Sequence, residues 1–175
     1  GLSGVIALTN GHYVVRSSSW ANGNQAQAGA ATWADGSTGL RGRVSAANSL
    51  VGTQSFDLVG TLGTALSNGN YVICSIGWHF GPSAFAGAAT WADGSTGRVG
   101  PVSAENSLVG TVFNQVVCNG VVALANGNYV VRSAGWVDGA LQQFGYAVTW
   151  GNGATGLVDK VTPQNSLVGK PDDRI

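Results

Sequence analysis

The chain has 175 residues, 28 of them glycine, and its 8 basic and 8 acidic side chains cancel to a net charge of zero. The scattered Lys and Arg form no cationic stripe for nucleic acid or an anionic membrane, and no apolar run approaches the roughly 20 residues of a membrane-spanning helix. Low charge with abundant Gly, Ser, Thr, Asn and Val excludes a disordered chain and fits an all-β protein rich in tight turns.

In chain order, the apolar run from Gly4 to Leu8, stopped by Thr9-Asn10-Gly11, predicts a first strand and a hairpin turn. Tyr13 to Ser17 follows with period-two alternation, which places Tyr13, Val15 and Ser17 on one face and Val14 and Arg16 on the other. Residues 22–27 read as a loop. Ala30 to Trp33 predicts a third strand, stopped by Asp35-Gly36, where glycine suits a tight turn. Val44 to Val51 contains the fourth, punctuated by Asn48 and Gly52. No segment keeps a 3.6-residue apolar period, so helix is not expected.

This unit then recurs. Ala28 to Gly39 returns letter for letter as Ala86 to Gly97, and more loosely as Gly145 to Gly156. Asn10-Gly11-His12-Tyr13-Val14-Val15 reappears from Asn68 and from Asn126, and Asn48-Ser-Leu-Val-Gly52 from Asn106 and from Asn165. Trp20, Trp78 and Trp136 stand 58 residues apart; Trp33, Trp91 and Trp150 stand 58 and then 59 apart. The third copy's extra residue is expected in its loop or in a β-bulge near Tyr146. The repeats are taken as 1–58, 59–116 and 117–175. Three tandem four-stranded antiparallel units of this size predict β-propeller-type blades, the alternatives being a closed threefold β-trefoil or a β-prism-like ring. Gly52 to Ala65 and Gly110 to Ala123 are 13 steps each, and so is Gly169 to Ala7 if Ile175 is joined to Gly1. The ends are therefore in register, and self-association through repeat edges and chain termini is expected. With no leading Met and no charged-then-apolar leader, the chain reads as a processed product or an excised piece. Having only two lysines, its surface is expected to be hydroxyl- and amide-rich and extracellular.

Candidate ligand-contacting residues are Trp20, Trp78 and Trp136, which could form stacking platforms for sugar rings, and Asp35 and Asp93, which could hold sugar hydroxyls or a hard cation. Aromatics at equivalent strand positions also serve as core between repeats. The first three tryptophans, beside the variable loop, are expected to be more exposed than Trp33, Trp91 and Trp150. Asp35 and Asp93 also fit turns that bond their own backbone, since the third copy carries Asn152 there. Cys74 and Cys118 occur once each, either as a disulfide tying the second unit to the third or as two buried thiols. No carboxylate pair, metal-ligand spacing or Ser-His-Asp order recurs, and His12 and His79 are at unrelated positions, so neither catalysis nor a cofactor is expected.

The pattern Ala-Leu-x-Asn-Gly-Asn-Tyr-Val-Val, then Gly-x-x-Thr-Trp, then Asn-Ser-Leu-Val-Gly resembles a tandem repeat of uncharacterised function in very large secreted bacterial proteins. Many of those are similar to filamentous haemagglutinin adhesins. The resemblance covers all three units and implies a secreted or surface-displayed array of propeller-like blades, with no catalytic residues to carry over. Cys74 for the usual Arg, His12 for the usual Asn, the insertion in the third copy and the short length depart from it. The expected function is a non-catalytic structural or interaction module that assembles end to end. The alternative is a lectin-like module with shallow glycan sites near the repeated tryptophans.

Overall fold

The computed structural model describes residues 4–137 and 144–169, and over them the chain is all-β without helix, in three sheets. The first unit supplies β1 (Gly4–Ala7), β2 (Tyr13–Ser17), β3 (Ala30–Ala34) and β4 (Leu50–Val51). The second supplies β5 (Val59–Ala65), β6 (Tyr71–Ser75), β7 (Ala88–Ala92), β8 (Gly100–Pro101) and β9 (Leu108–Val109). The third supplies β10 (Gly120–Ala123), β11 (Tyr129–Val137), β12 (Phe144–Gly151), β13 (Asp159–Lys160) and β14 (Ser166–Gly169).

Within each unit the antiparallel meander follows the predicted order. Asn-Gly closes the first hairpin, with Gly11, Gly69 and Gly127 at positive φ, where only glycine turns without Cβ strain. The fourth strand lies at the end of the predicted span from Val44 to Val51, because Asn48 holds a turn just ahead of it. Its Oδ1 accepts from the Ser45 amide at 2.9 Å and its Nδ2 donates to the Arg43 carbonyl at 2.9 Å. Behind that turn the Thr32 and Ser49 hydroxyls meet at 2.7 Å, and Ser49 also donates to Asn48 Oδ1. Thr90–Ser107 and Thr149–Ser166 repeat this pair at 2.7 Å. Thr-Trp and Asn-Ser are therefore linked across each sheet by a satisfied hydroxyl pair, buried in the first two sheets and part-buried in the third.

The sheets are not self-contained. In the first two, a fifth strand is lent by the unit ahead: β8 runs parallel to β4, and β13 runs parallel to β9. The hydrophobic cores likewise lie between units. Leu8, Val14, Ala31 and Leu50 of the first unit pack with Val59, Tyr71, Ile73, Trp78 and Val102 of the second. Leu66, Val72, Ala89 and Leu108 of the second pack with Val117, Tyr129, Val131, Trp136 and Val161 of the third. Alternation along β6 sends Tyr71 and Ile73 back into the first core and Val72 and Cys74 forward into the second, so one strand serves two cores.

No strand pairing joins the first unit to the third among the described residues, and the sheets do not close on one another. Their pairing does not bear out the ring expected of propeller-type blades, a trefoil or a prism. Residues 1–3 and 170–175, which carry the expected register between the chain ends, and 138–143 lie outside the described residues. The latter stretch falls between Trp136 and Gly145, where the third copy gains its residue. Tyr146 pairs squarely with Ala134, and the bulge lies between Ala134 and Trp136, at Gly135 with φ 75°.

Two phenols are locked into these cores. Burial pushes Tyr129 up to about 12 and Tyr71 further still, against hydrogen bonds to the backbone at Leu157 and Arg98 that act the other way. Both folded-state values lie above the unfolded value of 10.0. Their contribution is thus complete below about pH 10 and is lost as pH rises through the folded values. Denaturant midpoints should fall above about pH 10, and Tyr71→Phe should flatten that fall.

Candidate functional site

The repeated residues converge on the junctions between units. On the forward face of the first unit, Trp33 Nε1 donates to the Gly94 carbonyl at 2.8 Å and Asn10 Nδ2 donates to the same oxygen at 2.9 Å. At the next junction Trp91 Nε1 and Asn68 Nδ2 donate to the Gly153 carbonyl at 3.0 and 2.8 Å. The accepting turn is held from its own unit, because Gly94 N donates to Asn70 Oδ1 and Gly153 N donates to Asn128 Oδ1. In the first unit His12 Nδ1 takes that role toward Gly36 N at 3.1 Å, which explains how histidine replaces the turn's asparagine. A Cβ at Gly97 would press on Trp33, and one at Gly156 on Trp91. These two glycines let the indole seat against the next unit's backbone.

The parallel strands complete the junction. Val102 N donates to the Val51 carbonyl at 3.0 Å, and Val161 N to the Val109 carbonyl at 3.1 Å. A third tie differs between the two junctions. Arg16 reaches across the first, its guanidinium donating to the Gly60 and Thr61 carbonyls at 3.2 and 2.7 Å. Cys74 and Cys118 stand at the positions equivalent to Arg16 and Gly60, and they are joined by a disulfide with Cα atoms 5.3 Å apart.

The tryptophans singled out for exposure are placed the other way round. Trp78 and Trp136 are only 7 and 8 % exposed, and Trp78 Nε1 donates to the Val102 carbonyl at 3.2 Å. Trp20 is half-buried, whereas Trp150 is 52 % exposed. The reason is tertiary: the strand end carrying Trp78 or Trp136 packs into the core shared with the preceding unit, while Trp33 and Trp91 lie across the edge of the following one. Asp35 and Asp93 each close their own turn. Asp35 Oδ1 accepts from Ser37 N and Thr38 N at 2.7 and 3.1 Å, and Asp93 Oδ1 from Ser95 N and Thr96 N at 2.6 and 3.2 Å. The Ser37 amide, then that of Thr38, holds the Asp35 carboxyl below its ordinary range. Asn152 Oδ1 makes the equivalent bond to Ala154 N at 2.8 Å.

Among the described residues no three of His, Cys, Asp or Glu come together as metal ligands. One acid–imidazole pair does form, unforeseen from the sequence: Asp57 Oδ1 lies 2.8 Å from His79 Nδ1. Its other oxygen accepts from the amides of Thr53 and Gln54. Gln115 caps the equivalent turn through Thr111 N and Val112 N, so the carboxylate's place is structural. The Gly94 and Gly153 acceptors were also missed. Their only signal was the similar interval, 61 and 62 residues, from the indole to the next unit's glycine turn.

The model of a repeat of unknown function, DUF5650, matches residues 7–61, 65–119 and 123–175. The chain belongs to this repeat family. No curated protein and no solved structure matches it. The latch, the lent strand and the shared core are thus the working parts of three consecutive DUF5650 repeats.

Proposed function

We propose that the chain is a non-catalytic structural module of a secreted or surface-displayed bacterial protein, in an adhesin- or filament-like role. It extends an open stack of interlocked repeats rather than closing a ring of propeller-type blades. The observation that carries this reading is that the same junction is made twice, by equivalent residues, with each sheet completed by a strand from the unit ahead. A propeller blade is complete within its own unit, whereas these units depend on their neighbours, as solenoid repeats do. The disulfide suits an oxidising, extracellular setting. The recurrent polar side chains are engaged in turns, latches and buried hydroxyl pairs, which supports a role in building. Burial of Trp78 and Trp136 gives the glycan-binding alternative no support.

The test is a chain carrying a second copy of residues 59–116 in tandem with the first. An open stack predicts cooperative folding and, by small-angle scattering, a longer particle of unchanged cross-section. Loss of folding, or a particle that widens without lengthening, would overturn the reading, because a closed ring has no place for an added unit.

A further inference from the structure

The two internal junctions each join a forward face to a receiving face, and the chain presents one unused face of each kind. On the receiving side, Tyr71, Ile73 and Val102 are buried against the first unit, and Tyr129, Val131 and Val161 against the second. Their equivalents in the first unit, Tyr13, Val15 and Val44, are only half-buried and line a shallow cavity of about 150 Å³. Gly94 and Gly153 are buried under the preceding indole, whereas Gly36 is exposed. On the forward side, Leu50 and Leu108 are buried, while their equivalent Leu167 is 66 % exposed beside the exposed Trp150. Large apolar groups clustered at an unpaired sheet edge mark an association surface.

We propose that this face receives the third unit of a second copy of the same chain, head to tail. Trp150 Nε1 and Asn126 Nδ2 of one copy donate to the Gly36 carbonyl of the second copy. Leu167–Val168 of β14 runs parallel to Gly42–Arg43 of the second copy, in the register of Leu50 with Gly100 and of Leu108 with Asp159. The occupant is argued from continuity with the two internal junctions, which join the same groups in the same order.

The edge that carries Tyr146 differs from the two internal junctions. At the internal junctions the connecting segment passes over Gly29 and Gly87, where a Cβ would strike the backbone at Leu58–Val59 and at Val116–Val117. The third unit has Tyr146 at that position and Val148 in place of Ala31 and Ala89. A connecting segment cannot repeat its path over Tyr146.

This inference rests on the stacking role proposed above, and its test is separate from the four-unit chain, whose junctions are all covalently linked. Sedimentation of the 175-residue chain over a range of concentrations should show reversible growth in mass. Trp150→Ala removes the donor on one face. Gly39→Asn places a side chain where Gly97 and Gly156 admit the indole, and asparagine tolerates the positive φ there. Val15→Lys serves as a second receiving-face variant should Gly39→Asn fold poorly. Each variant alone should associate more weakly by about thirty-fold, as expected on losing a central Trp anchor. Mixing Trp150→Ala with either receiving-face variant should restore one junction and yield dimers only. A wild type that stays monomeric throughout, variants that associate as wild type does, or a mixture that forms no dimers would each overturn the second-copy junction.

Discussion

Tyr71→Ala is expected to destabilise the chain by about 3–5 kcal/mol, a large part of a small domain's stability. Tyr71 is 1 % exposed and fills the core shared by the first two units, against Leu8, Val14 and Leu50. Truncation leaves a cavity bounded by two sheets that are tied together by the β4–β8 pairing and the Trp33 latch, so collapse is resisted from both sides. The same change at Tyr13 should cost about 1 kcal/mol or less at low protein concentration, because no unit packs in front of it within the chain. Denaturant midpoints of the two variants measure the difference. Equal losses would contradict the assignment of the cores to the junctions.

The second large effect is expected at the disulfide. Cys74 and Cys118 are 44 residues apart, and closing a loop of that length restricts the unfolded chain by about 4 kcal/mol in the chain-entropy view. Cys74→Ala with Cys118→Ala, or reduction of the native chain, should lower stability by roughly 2–5 kcal/mol and loosen the third unit first. A more telling variant is Cys74→Arg with Cys118→Gly, which copies the first junction. An arginine at 74 has the carbonyls of residues 118 and 119 where Arg16 finds those of Gly60 and Thr61. Glycine at 118 also relieves a φ of 70°. This double variant should recover about 1–2 kcal/mol of the loss, read as thermal unfolding under reducing conditions.

Much of the fold was legible in the residues. Asn-Gly, the alternation from Tyr13 to Ser17 and the turn at Asp35 depend on local φ preference and on period, which a short segment carries by itself. The Asp35 and Asp93 side chains were legible for the same reason, since each bonds amides two and three residues ahead. The exposure of the tryptophans was not legible. Trp33, Trp91 and Trp150 are identical in type and place, yet the first two donate to a following unit's carbonyl while Trp150 is half exposed. The lent strands were invisible for a related reason. Gly100–Pro101 and Asp159–Lys160 carry no β pattern, and they become strands only because a partner edge lies beside them.

The sequence by itself determined that this is an all-β array of three units, with the order of strands and turns inside each, because those follow from backbone geometry repeated at a constant interval. Tertiary structure alone decided where the cores lie, which unit completes which sheet, and which of the equal residues are buried. Those properties arise from contacts between segments some 45 to 85 residues apart, and no single repeat contains both sides of them.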